Sequence, residues 1–180
     1  GMDLQKRGTM TRTVAALLTL LLLAGCHRDP SPDEILDGTL DPGFGQGAGF
    51  IFHSDAAGGQ GWDTGAAVTL DAAGRILAAG FSVNPAGNYD MTLWRFLPSG
   101  SPDSTFGGAG FVVHDNAAGG HQNDSARDMA LDAAGRILVV GGRRTGSSSG
   151  LTSCEIYDPT LDQWTVTSSI PNGRYYHTAT

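Results

Sequence analysis

Apolar residues fall along this chain as one long run near the start, residues 14–23, interrupted only by Thr19, and thereafter as short bursts separated by Gly, Asp, Ser and Pro. Bursts this short, carrying Val, Ile, Phe and Trp and bounded by turn residues, predict β-strands rather than helices. In the first stretch of the body the predicted strands are residues 49–54, 67–70, 75–82 and 89–97. The third contains Ile76-Leu77-Ala78-Ala79-Gly80, apolar throughout, which predicts a strand buried on both faces. The fourth alternates: Met91, Leu93 and Arg95 share one face, Thr92, Trp94 and Phe96 the other. Between the second and third lies Asp71-Ala72-Ala73-Gly74, a hairpin signal in which Asp opens a turn and Gly takes the positive-φ position that closes it.

The pattern repeats. Leu70-Asp71-Ala72-Ala73-Gly74-Arg75-Ile76-Leu77 recurs residue for residue 61 positions on, from Leu131 to Leu138. At the same offset Gly47-Ala48-Gly49-Phe50 matches Gly108-Ala109-Gly110-Phe111, and His53 matches His114. Ala56-Ala57-Gly58-Gly59 likewise matches Ala117-Ala118-Gly119-Gly120. Asp41-Pro42-Gly43-Phe44-Gly45 aligns with Asp103-Ser104-Thr105-Phe106-Gly107 one position further out. Four short antiparallel strands per unit, repeating at this period, are the arithmetic of a propeller blade. The expected fold is therefore all-β, made of four-stranded antiparallel β-propeller blades.

With those segments in view, the units resemble the delta-60 repeat, a bacterial propeller repeat of exported proteins, over roughly residues 37–142. The pattern then shifts. Gly141-Gly142, Glu155-Ile156-Tyr157-Asp158-Pro159, Trp164 and the segment from Arg174 to His177 resemble a Kelch repeat, of the galactose-oxidase-like propeller superfamily. That resemblance implies a glycine pair ending a buried strand, and a Tyr and a Trp packed between blades. The expected organisation is a first delta-60-type blade at 37–98, a second delta-60-type repeat at 99–142, and an overlapping Kelch-type repeat at 136–180, with a Ser/Gly-rich loop at 143–150.

The long apolar run belongs to an address. Lys6, Arg7 and Arg12 precede it, and it ends in Leu23-Ala24-Gly25-Cys26, so a basic region, a short apolar region and small residues follow in the order of a secretory signal. The run is about half the roughly 20 residues a membrane-spanning helix needs, which disfavours a transmembrane anchor. Translation starting at Met10 would fit as well as a start at Met2. Leu23-Ala24-Gly25-Cys26 resembles the lipobox of bacterial lipoproteins. That resemblance implies a signal peptide at 1–25, cleavage before Cys26 and lipid on its sulfur and amino group, with attachment to a membrane of the cell envelope, the outer membrane or cell surface. Residues 26–36, polar with two prolines, suit an extended tether. Cys154, the one other cysteine, is expected to be a small buried residue.

Composition narrows the partners. The 180 residues carry a net charge of −7, and Lys6 is the only lysine, so no basic cluster exists to displace counterions and a nucleic-acid partner is not expected. The acids are almost all Asp, with Glu at Glu34 and Glu155 alone, which suits turns. At roughly 50 to 60 residues per blade the part after the signal amounts to two or three blades, against four to eight in closed propellers. The expectation is an incomplete propeller: part of a larger ring, or a chain that self-associates.

Candidate chemistry is sparse, and neither catalytic residues nor a cofactor is expected. Gly58-Gly59-Gln60-Gly61-Trp62-Asp63-Thr64-Gly65 approaches a calcium-binding nonapeptide, but such sites need tandem copies, and an inter-strand loop is the expected role. His53 and His114 recur once per unit, and with His121 and His177 they do not suggest converging zinc ligands. Cys154, Tyr157, Tyr175, Tyr176 and His177 include the residue types of Kelch-type copper-radical oxidases, yet the tyrosines fall where Kelch packing accounts for them. The expected function is a non-catalytic module, lipid-anchored through Cys26, that binds a protein or glycan through loops on one face. The loops at 83–89 and 143–152 are the foremost candidates. The alternative is a propeller enzyme, a Kelch-type oxidase or other carbohydrate-active enzyme, whose active site lies in further blades.

Overall fold

A computed structural model of the chain describes residues 40–117, 123–141 and 154–167. Among these, apart from a single 3-10 turn at Gly45–Gly47, all regular structure is β. Eight strands form two antiparallel sheets, each in sequential order. The first contains β1 (Thr64–Leu70), β2 (Ile76–Val83), β3 (Tyr89–Phe96) and β4 (Phe111–His114). The second contains β5 (Ala126–Leu131), β6 (Ile137–Gly141), β7 (Cys154–Asp158) and β8 (Gln163–Val166).

The repeat is visible atom by atom. In both Asp-Ala-Ala-Gly-Arg turns the Gly amide donates to the Asp carbonyl, Gly74 to Asp71 and Gly135 to Asp132, with glycine φ of 74° and 77°. The Asp carboxylate accepts from the Ala and Arg amides of its own turn, and its second oxygen takes the Arg Nε at 2.6 Å in each copy. A β-bulge between Gly65 and Ala67 recurs between Ala126 and Asp128, 61 residues later. It is tied to Gly80, where a Cβ would lie 1.8 Å from the Thr64 carbonyl oxygen.

The sheets face each other, with β1 and β2 against β5. The shared core takes Leu77, Ala79, Met91, Leu93 and Val112 from the first sheet, and Met129, Ile137, Val139 and Tyr157 from the second. Phe106, in the β3–β4 connection, joins them and meets the Tyr157 ring edge-on at 5.4 Å. Sheet-on-sheet burial of this kind is the main source of cohesion between such units.

Two expectations change. Residues 49–54 belong to neither sheet; their copy 61 residues on supplies β4, which pairs antiparallel with β3 from Trp94↔Phe111 to Met91↔His114. A sheet therefore closes with the first strand of the following repeat: β4 pairs with the β3 before it in the chain, and among the described residues no strand precedes residues 49–54. Likewise, Ile76-Leu77-Ala78-Ala79 is fully buried only on the Leu77/Ala79 face; Ile76 and Ala78 are half-buried. Only the first of these faces has another sheet of the described residues packed upon it.

Candidate functional site

Strand direction sorts the connections into two ends. At one lie both Asp-Ala-Ala-Gly-Arg turns, the long β3–β4 connection and the β7–β8 turn. At the other lie the chain from residue 54 to 63, the β2–β3 loop at 84–88, and the β4–β5 connection. The β6–β7 connection, which includes the expected loop at 143–152, starts and finishes at this second end, because β6 and β7 stand where β2 and β3 do. The loop itself lies outside the described residues, as do Cys26, His121, Tyr175, Tyr176 and His177.

The first end is locked by ion pairs. Arg95 is buried, with its Nε 2.8 Å from Asp103 Oδ2, its Nη2 donating to Thr105 Oγ1, and its guanidinium carbon 4.6 Å from the Phe106 ring centre. Arg75 adds a 3.5 Å contact to the same Asp103 oxygen. Burial works against ionisation of Asp103, but the Thr105 hydroxyl and amide and the Arg95 charge outweigh it and hold its carboxyl below the usual range. Asp71 behaves alike: burial is outweighed by the Arg75 amide and guanidinium and the Ala73 amide. Sequence alternation placed Arg95 on the Met91/Leu93 face, and a buried guanidinium needs a carboxylate. Which carboxylate could not be read in advance, since Asp103 lies across a turn.

The second end is a set of open loops on a braced base. Asn84 Nδ2 donates to both oxygens of the Asp90 carboxylate, while its Oδ1 accepts from the Ala86 and Asn88 amides. Pro85, Ala86 and Gly87 project from this base and are exposed. Burial, with the nearby Asp115 charge, pushes the Asp90 carboxyl upward against the Asn84 hydrogen bond. Phe81 and Tyr89 stack beside the loop with centroids 4.4 Å apart.

In the calcium-like segment, Asp63 Oδ2 accepts from the Ala56 amide at 3.3 Å, and Asp124 Oδ2 accepts from Ala117 at 2.9 Å, so each aspartate closes its own loop. Gly59 donates to the Val83 carbonyl, and a Cβ there would lie 2.3 Å from that oxygen. Close backbone approach thus accounts for Gly59. Among the described residues no group of three or more His, Cys, Asp or Glu side chains is placed to hold a metal ion.

His53 and His114 sit at equivalent positions against the following sheet. His53 Nδ1 accepts from Trp94 Nε1 at 3.3 Å and its ring meets Phe111 edge-on. His114 stacks on Trp164, 4.4 Å apart and 7° from parallel. Its Nε2 lies 2.6 Å from Glu155 Oε2, in ion-pair range, although neither oxygen of this buried carboxylate accepts an aligned hydrogen bond among the described residues. Tyr157 is buried between Phe106 and Trp164 and donates to Asp162 at 2.5 Å; burial first, then that bond, pushes its hydroxyl pKa upward. Cys154 is buried at the start of β7.

Two four-stranded antiparallel sheets, stacked face to face and built on a shared repeat, define blades of a β-propeller. The particular repeats are two. Residues 74–106 match the family described as a domain of unknown function (DUF5122), beta-propeller, and residues 133–171 match the Kelch motif. The chain thus carries delta-60-type propeller repeats that run into a Kelch-type repeat, with the change of pattern falling inside the second sheet. No curated protein matches it.

Proposed function

We propose that this propeller module is an exported lipoprotein, anchored through lipid on Cys26, that binds a protein or glycan without transforming it. The ligand would meet the loops at the end opposite the Asp-Ala-Ala-Gly-Arg turns. The observation that carries the reading is the asymmetry of the two ends. At the turn end the carboxylates of Asp71, Asp103 and Asp132 are committed to arginines of the fold. At the other end Asn84 and Asp90 brace a loop whose tip, residues 85–87, is exposed. Exposed loops on a rigid base are where repeat scaffolds carry recognition.

Two measurements test the reading. Saturable binding on a glycan array or to a surface protein, with no product formed, is the expected outcome; turnover of the bound ligand would replace the module with an enzyme. In cell fractionation, Cys26→Ser should move the protein out of the membrane fraction. Retention of the variant with membranes would remove the lipid anchor from the proposal.

A further inference from the structure

Residues 50–54 alternate between exposed and half-buried as an extended strand does, although they lie in no sheet. Ile51 and His53 point toward the first sheet: His53 accepts from Trp94, and Ile51 Cγ2 is 2.8 Å from where a Cβ on Gly100 would stand. Phe50 and Phe52 point away and are 59% and 84% exposed. Among the described residues no backbone–backbone hydrogen bond reaches residues 50–54.

The second repeat shows what is missing. Phe50 to His53 correspond to Phe111 to His114, which are β4 and pair with β3. Trp62, 84% exposed, corresponds to Asn123, whose Oδ1 accepts from the Tyr89 amide at the start of β3. Val68 on β1, 72% exposed, corresponds to Met129 on β5, buried beneath the first sheet. In three places, then, a residue exposed in the first copy has a counterpart in the second that is engaged by the sheet preceding it.

We infer that residues 50–54, with Trp62 and Val68, form a docking surface for one kind of partner: a three-stranded antiparallel blade sheet whose third strand, of the β3 type, is open at its edge. That strand would run antiparallel to residues 50–53, in the register that β4 takes on β3. The neighbouring strands of the same sheet would cover Val68. The contact is strand addition to an open edge, in which backbone bonds supply affinity and alternate side chains supply fit. The inference does not depend on the ligand of the loop end.

The test uses the full chain and, as probe, a synthetic peptide with the β3 sequence, residues 88–98. Saturable binding is expected, with a scrambled peptide inactive. Ile51→Pro, which removes a backbone donor that this register turns toward the partner strand, should weaken binding by about tenfold or more. Phe52→Asp should weaken it too while leaving the near-ultraviolet circular dichroism of the folded sheets unchanged. Absence of saturable binding to the wild-type chain, or equal binding to both variants, overturns the inference. Sedimentation of the wild-type chain alone as an oligomer that Phe52→Asp dissolves would also overturn it, by showing a second copy as the occupant.

Discussion

Arg95 and Asp103 are both nearly shut off from solvent, at 6% and 4% exposure, and Asp103 lies in the turn that carries the chain from β3 toward β4. Removing one member of such a pair leaves the other buried and uncompensated. Asp103→Ala is expected to cost about 3 kcal/mol or more in urea unfolding, whereas Arg95→Met, after which Asp103 still has Arg75 and the Thr105 amide and hydroxyl as partners, should cost less. The pH dependence has a definite sign. The folded-state pKa of Asp103 is held below its unfolded value, so its contribution is complete at neutral pH and fades as pH falls through the ordinary carboxylate range toward the folded value. Unfolding midpoints measured from pH 7 to pH 3 should therefore fall less steeply in Asp103→Asn than in the parent; parallel profiles would show that the pair does not set this slope.

The hairpins and the bulge show which constraints are local and which are not. Gly135 sits at φ 77° in a turn with nothing near its missing side chain, so Gly135→Ala meets only the left-handed backbone penalty, about 1 kcal/mol. Gly80 carries no such φ, but a methyl there collides with the Thr64 carbonyl at the bulge. Gly80→Ala should be the more damaging, at about 3 kcal/mol, as thermal melts of the two variants would establish. Both the Asp-Ala-Ala-Gly-Arg turn and its positive-φ glycine were legible in the sequence, since the side chains that make the turn lie within five consecutive residues. The bulge was not, because it depends on Gly80 meeting a strand 15 residues upstream.

Across the whole molecule, burial is concentrated in the central strands. Leu77, Ala79, Leu93 and Val139 are at 3% exposure or less, while β8 is largely exposed. Amide hydrogen exchange should accordingly be slowest in β2, β3 and β6 and fastest in β8 and residues 50–54. Uniform protection across both sheets would instead mean that they open as a single cooperative unit. The chain of contacts from Arg95 through Phe106, Tyr157 and Trp164 to His114 and Glu155 crosses between the sheets, so Kelch-type residues of the second sheet complete the packing of the delta-60-type first.

Class of fold, the existence of the repeat, the turn chemistry and most strands could be read from the chain alone, because each depends on residues close together whose periodicity is fixed by the backbone. Tertiary structure decided the phase of the blades, since among the described residues it is 111–114, and not 49–54, that find a β3 to pair with. It also decided the partners of the buried Asp103 and Glu155 carboxylates. Arg95 with Asp103 and His114 with Glu155 are brought together across turns and between sheets, at separations that no local pattern encodes.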